Sequence, residues 1–194
     1  MENKLRTKDI ITIVLMSLIN IVIFGFGSFF YLTPITVLLM PVFYSLFQGI
    51  VYFMLGVKVP KAWTMLIYCI IQGVIGFNLV YIACYVLAGL LAELILKKLG
   101  YGSAKGLTLS YILMQLLAAF GSTFYPYALT LESTLAHSMD TAGGAAESVA
   151  KAGEMIQSWG ALVLAVVVLI AAFLGALLGK AVCRKHLQRV EDAQ

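Results

Sequence analysis

Long apolar runs alternate with short polar, mostly basic breaks along this chain, a rhythm that predicts membrane-spanning helices. No charged residue occurs from Ile10 to Val57; at about 20 residues per crossing, that run holds two spans. It is also too long for the apolar core of a cleaved secretory signal, so the N-terminal segment reads as an anchor. Hydropathy places six spans, at Ile10–Phe30, Ile35–Leu55, Ala62–Phe77, Leu79–Leu96, Leu107–Tyr127 and Trp159–Gly179. Ala62 to Leu96 offers only 35 residues for two crossings, and one long helix is the rival reading. Charge decides between them. Lys58 and Lys61 precede this segment and Lys97, Lys98 and Lys105 follow it; basic loops stay cytoplasmic, so the number of crossings is even. The segment is therefore expected to be a tight hairpin turning at Gly76-Phe77-Asn78, its short helices matched by bilayer thinning or burial.

Six spans put residues 1–9 and the basic tail 180–194 in the cytoplasm, together with twelve of the thirteen lysines and arginines. The outer side receives residues 128–158, where Glu132, Asp140, Glu147 and Glu154 face one lysine, Lys151. Within that stretch Leu131, Leu135 and Met139 recur every four residues, Gly143-Gly144 interrupts, and Ala146, Val149, Gly153 and Ile156 form a second stripe supported by a Glu147–Lys151 pair. Two short helices over the outer mouth are expected; a flexible loop rich in alanine and glycine is the alternative. The whole reads as one all-α integral membrane domain, residues 1–194, with no soluble domain.

Composition agrees. The chain is 62% hydrophobic and 11% charged, with a mean hydropathy of +0.99, against roughly 45–50% apolar residues in soluble domains. The net charge of +4 does not point to nucleic acid, because the basic residues mark topology. Cys69, Cys84 and Cys183 have no metal or redox spacing and read as packing residues.

Few residues carry chemistry. GYGSAKG, residues 100–106, resembles a phosphate loop but lacks the Gly-Lys-Ser/Thr ending and any surrounding βαβ unit. Its glycines stop one helix after Leu99, and Ser103 starts the next. His137 and His186 fall on opposite sides and cannot share a site. With no mid-span acid, nucleophile–base pair or metal cluster, the chain is expected to be neither an enzyme nor a carboxylate-based pump, and to hold no cofactor or metal of its own. Glu93 is read either as an interfacial carboxylate paired with Lys97 or as a contact for a cytoplasmic partner. Towards the outer side lie Tyr31, Gln72, Phe77, Asn78, Tyr81, Tyr85, Tyr125, Tyr127 and Trp159, with Gln115 near mid-span and Gln48 deeper. They suit a small-molecule pocket of aromatic walls and a few hydrogen-bonding groups. An interfacial aromatic belt is the other reading. In the last span Ala171, Gly175 and Gly179 fall on one stripe and Ala172 and Ala176 on the next, which favours close packing within the chain.

The segments KLRTKDIITI, AELILKKLGYGSAK and GALLGKAVCRKH, in that order across nearly the whole chain, resemble the Trep_Strep group of substrate-binding S components of energy-coupling factor transporters. The resemblance implies a multi-pass protein of a prokaryotic plasma membrane that captures a small organic micronutrient, vitamin-like or a metal chelate, from outside. It implies two kinds of partner: a transmembrane coupling subunit, and two cytoplasmic ATPases that use the ATP. Docking would tip the S component in the bilayer to release its cargo inside. The expected substrate-binding residues are Tyr31, Gln72, Asn78, Tyr81, Tyr85, Gln115, Tyr125 and Trp159. The expected docking residues are Ser17, Ile21 and Gly25 on the first span, with Glu93; Ile21 departs from the small-residue spacing seen in many S components. The alternative is a structural or regulatory membrane subunit without a ligand pocket, marked by a solid bundle in which Tyr85 and Gln115 are fully packed.

Overall fold

The computed structural model describes residues 4–76, 78–141 and 145–191, without the side chains of Ser28, residues 137–146, Ser158, Trp159 and residues 186–191. Phe77, the Gly143-Gly144 break and the side chains of His137, Met139, Ala146, Trp159 and His186, all singled out above, lie outside the described set. Eight α-helices follow in order: α1 (Thr7–Gly25), α2 (Pro34–Lys58), α3 (Thr64–Ile75), α4 (Leu79–Leu99), α5 (Ala104–Ala119), α6 (Leu131–Thr141), α7 (Ala145–Met155) and α8 (Ala161–Glu191). A 3-10 segment, Phe26–Leu32, prolongs α1, and a π-helical segment, Phe120–Leu129, prolongs α5. Among the described residues five runs are long and apolar enough to cross a membrane: Thr7–Leu32, Pro34–Lys58, Leu79–Leu99, Ala104–Leu129 and Ala161–Lys185. The expected hairpin is present but unequal. Its second arm has 21 residues and its first only 12, about 18 Å of helix against a hydrocarbon core of about 30 Å. The basic tail is not a separate segment either, since α8 continues through it to Glu191.

Local signals set the boundaries. Thr33 and Thr36 cap each other's backbone N–H groups before Pro34 opens α2. Asn78 Oδ1 accepts from Val80 and Tyr81 at the start of α4, and Ser103 Oγ accepts from Gly106 at the start of α5. Between them Gly100 and Gly102 have φ of 96° and 82°, a left-handed backbone that glycine adopts without strain. The GYGSAKG stretch is thus a helix stop and restart.

The helices share two chemically different ends. At the basic end, Asp9 on α1 pairs with Lys61 in the α2–α3 corner, and Tyr101 in the α4–α5 loop meets Glu93 on α4. At the opposite, acidic end, α7 and the turn after it bury Val149, Ala152 and Ile156 against Val37, Tyr127, Leu164 and Val168. Residues 131–141 and 145–155 are helices here, and Lys151 pairs with Glu147 at 2.6 Å.

The closest helix contact is between α2 and α8. A β-carbon at Gly175 would overlap the Ser45 carbonyl, and one at Gly49 or Gly179 would overlap the facing glycine backbone. The small residues of the last span, with Ala172 and Ala176 buried beside them, therefore pack inside the chain. On its other side α2 meets α5 through a polar seam. Tyr111 donates to the Ser45 carbonyl at 2.8 Å, Tyr52 donates to Ser110 at 2.8 Å, and Gln115 donates to Gln48 at 3.0 Å. Ile11, Leu15, Leu18 and Val22 on α1, and Val166, Ile170, Phe173 and Leu177 on α8, point outward, the faces lipid would cover.

Gly175→Ala is expected to destabilise the protein by about 1–3 kcal/mol, the usual cost of overpacking. Gly25→Ala, whose β-carbon meets open space, should cause no loss. All three cysteines are buried, so thermal unfolding followed with a thiol-reactive dye reads both variants. An unchanged midpoint for Gly175→Ala would mean that the two helices are not in backbone contact.

Candidate functional site

Between the two ends lies an interior of phenols and amides in which, among the described residues, no charged side chain is buried. Tyr81 and Tyr85, one turn apart on α4, meet edge to face with centroids 4.8 Å apart. Tyr52 contacts both Tyr68, at 5.9 Å, and Tyr111, at 5.2 Å. On the α1–α3 side, Asn20 Nδ2 donates to Gln72 Oε1 at 2.7 Å, and Gln72 Nε2 reaches the Ser17 carbonyl at 3.5 Å. Asn20 Oδ1, the Ser17 hydroxyl and the Tyr68 hydroxyl are buried there without a hydrogen-bond partner. Such groups cost about 1–3 kcal/mol each when left unsatisfied. Nearer the acidic end, Tyr44 stacks on Phe24 and donates to its carbonyl at 2.9 Å, while the Tyr31 and Tyr127 hydroxyls face each other.

The expected substrate residues divide by geometry. Gln72, Tyr81 and Tyr85 belong to this interior, and Tyr31 belongs to its acidic-end rim. Gln115 is bound into the α2–α5 seam, its amide shared among Gln48, Tyr111 and Ser45. Asn78 is exposed, and its side-chain oxygen caps α4. Tyr125 is half-buried in the π-helical segment, where its carbonyl accepts from Thr130. Sequence reasoning missed Asn20, Tyr44 and Tyr68. The available signal was an amide inside a charge-free run, Asn20 between Ile10 and Val57.

Of the expected docking residues, Ser17 is turned inward, Ile21 is half-buried and Gly25 is exposed. Glu93 is only 9% exposed. Its carboxyl accepts the Trp63 backbone N–H at 3.0 Å and the Tyr101 hydroxyl, so it turns towards these two groups and not to Lys97. Trp63 is the N-cap of α3 with φ 69°, a left-handed conformation that is rare for a bulky residue. Burial first, then the hydrogen bond to Glu93, pushes the Tyr101 phenol up to about 12, so it remains a donor at neutral pH. Glu93 therefore ties together the α2–α3 corner, the end of α4 and the α4–α5 loop.

A protein-family model described as "Hypothetical bacterial integral membrane protein (Trep_Strep)" matches residues 7–189. The chain belongs to the Trep_Strep family. No curated protein and no solved structure matches it. This Trep_Strep protein is thus a multi-pass bacterial membrane protein, in keeping with its apolar helices and lipid-facing surfaces.

In this Trep_Strep chain, Glu93→Ala should destabilise by about 1–3 kcal/mol, since it strands the Trp63 N–H and the Tyr101 hydroxyl together. Tyr101→Phe should cost less. The double variant should fall short of the sum, because both changes break one contact. Strict additivity in a thermal-unfolding cycle would rule out the three-way tie.

Proposed function

We propose that this protein is the substrate-capture S component of an energy-coupling factor importer. In this reading the chain crosses the membrane six times, with the basic end and both termini in the cytoplasm and α6 and α7 outside. The short α3 serves as the third pass because its polar residues, Thr64, Tyr68 and Gln72, are buried against neighbouring helices. The cargo is a small organic micronutrient, vitamin-like or a metal chelate. A transmembrane coupling subunit and two ATPases do the work on ATP, and this chain performs no catalysis and needs no cofactor. The supporting observation is the uncharged phenol–amide interior with its unpartnered Ser17, Asn20 and Tyr68 groups, lying between the two ends. A closed bundle built only for assembly has no reason to keep polar atoms unsatisfied in lipid.

One observation favours the second reading, a structural or regulatory subunit. Tyr85 and Gln115 are each 2% exposed, as a solid bundle requires. Burial of Gln115 is explained by its seam with α2, but burial of Tyr85 counts for either reading, because a captured ligand also needs an enclosed site.

Native mass spectrometry of protein purified from its own membranes should show a bound small molecule, and Gln72→Leu should reduce its occupancy about tenfold, the loss of one buried hydrogen bond. If neither bound molecule nor saturable uptake with the coupling subunits is found, the structural reading stands instead. Topology has its own test. A cysteine at Tyr101 should react with an impermeant reagent only from the cytoplasmic side, and one at Glu147 only from outside. A cysteine at Pro60, exposed in the α2–α3 corner, should react from the same side as the one at Tyr101; reaction of these two from opposite sides would remove the six-pass arrangement.

A further inference from the structure

At the basic end, where α8 leaves its apolar stretch, Leu177, Lys180, Ala181, Arg184 and Lys185 line a shallow, open groove of about 430 Å³ along one face of that helix. We infer that this groove is a binding site for the headgroup of an anionic phospholipid. Among the described residues three cations and no carboxylate line it, and its apolar liners, Leu177 and Ala181, continue the exposed strip of Phe173 and Leu174. From Ala161 to Leu178 the helix rises about 26 Å, close to the depth of the hydrocarbon core, so Lys180 to Lys185 stand in the headgroup layer. The two carboxyl groups described at this end are already engaged, Asp9 by Lys61 and Glu93 by Trp63 and Tyr101. An Arg184 guanidinium grips a phosphate through two parallel N–H donors, Lys180 and Lys185 add point charges, and acyl chain lies along Leu177. A free phosphate would use the cations and leave the apolar wall unused, which is why a lipid is the occupant.

The test uses the full chain in nanodiscs of phosphatidylcholine with a graded fraction of phosphatidylglycerol, with retained lipid counted by native mass spectrometry. The parent should retain phosphatidylglycerol preferentially. Lys180→Gln with Arg184→Gln should lower that preference about 25-fold, since each cation near an anionic surface contributes roughly a factor of five. Lys151→Gln, at the acidic end, should leave it unchanged. Thiol-dye unfolding checks that the double variant is folded; if it is not, Arg184→Gln alone should give a smaller drop in the same direction. Equal retention by folded variants and parent overturns the site. Displacement of phosphatidylglycerol by millimolar inorganic phosphate would assign the groove to a free anion and overturn the lipid.

Discussion

The contact between α2 and α8 is the constraint around which the rest of the bundle is arranged. Lipid tails are as apolar as leucine, so helices in a bilayer gain little from hydrophobic burial against each other and must gain from close packing and hydrogen bonds. Gly49, Gly175 and Gly179 let the two backbones touch, close enough for weak Cα–H···O contacts. That commits one face of α2 to small residues. The adjoining stripe can then carry the larger polar side chains, Ser45, Gln48 and Tyr52, that meet Ser110, Tyr111 and Gln115 on α5. Ser45 serves both faces: its carbonyl lies against Gly175 and accepts from Tyr111.

The α2–α5 seam and the α1–α3 contact use the same residue types to different ends. Along α2–α5, Gln115, Tyr111, Tyr52 and Ser110 all have partners, and the seam behaves as structure. Along α1–α3 Gln72 pairs with Asn20 and reaches the Ser17 carbonyl, but four polar atoms, on Ser17, Asn20, Thr64 and Tyr68, have no partner. A buried polar network is stabilising when complete and costly when not. The incomplete one is accordingly where a further molecule has most to gain by binding.

Much of this was legible in the primary sequence because membrane constraints are one-dimensional. Charge-free length predicts spans, and the positions of Lys58, Lys61, Lys97 and Lys98 predict which ends lie together. The hairpin at Gly76 and Asn78 follows from the same lysines, and the two short helices after Leu129 follow from spacing. Residue roles were less legible, because an amide in a span looks the same whether it caps, seams or lines a site. Asn78, Gln72 and Gln115 read alike as outward polar groups, yet one caps a helix, one joins α1 to α3 and one locks α2 to α5. Glu93 carried a local signal, Lys97 one turn away, that lost to Trp63 and Tyr101, which are distant in sequence or across a loop. Pairing across elements is the information that periodicity lacks.

These seams bear on how a bundle of this kind can move. Backbone contact between α2 and α8 has no slack to slide, since each glycine fits against a carbonyl, and the α2–α5 seam would have to break several buried hydrogen bonds to shift by a turn. The basic end is also pinned, by Asp9 to Lys61 and by Glu93 to two loops. Packed interfaces of this type are bistable at best and are not continuously deformable. On the proposed reading, a ligand could not cross to the basic end by opening a path between α2, α5 and α8 without dismantling both seams. Motion of the chain as one body requires none of those breaks, and α1 and α3, joined by the contacts of Gln72 with Asn20 and the Ser17 carbonyl, are the pair with fewest hydrogen bonds to lose if the bundle opens locally.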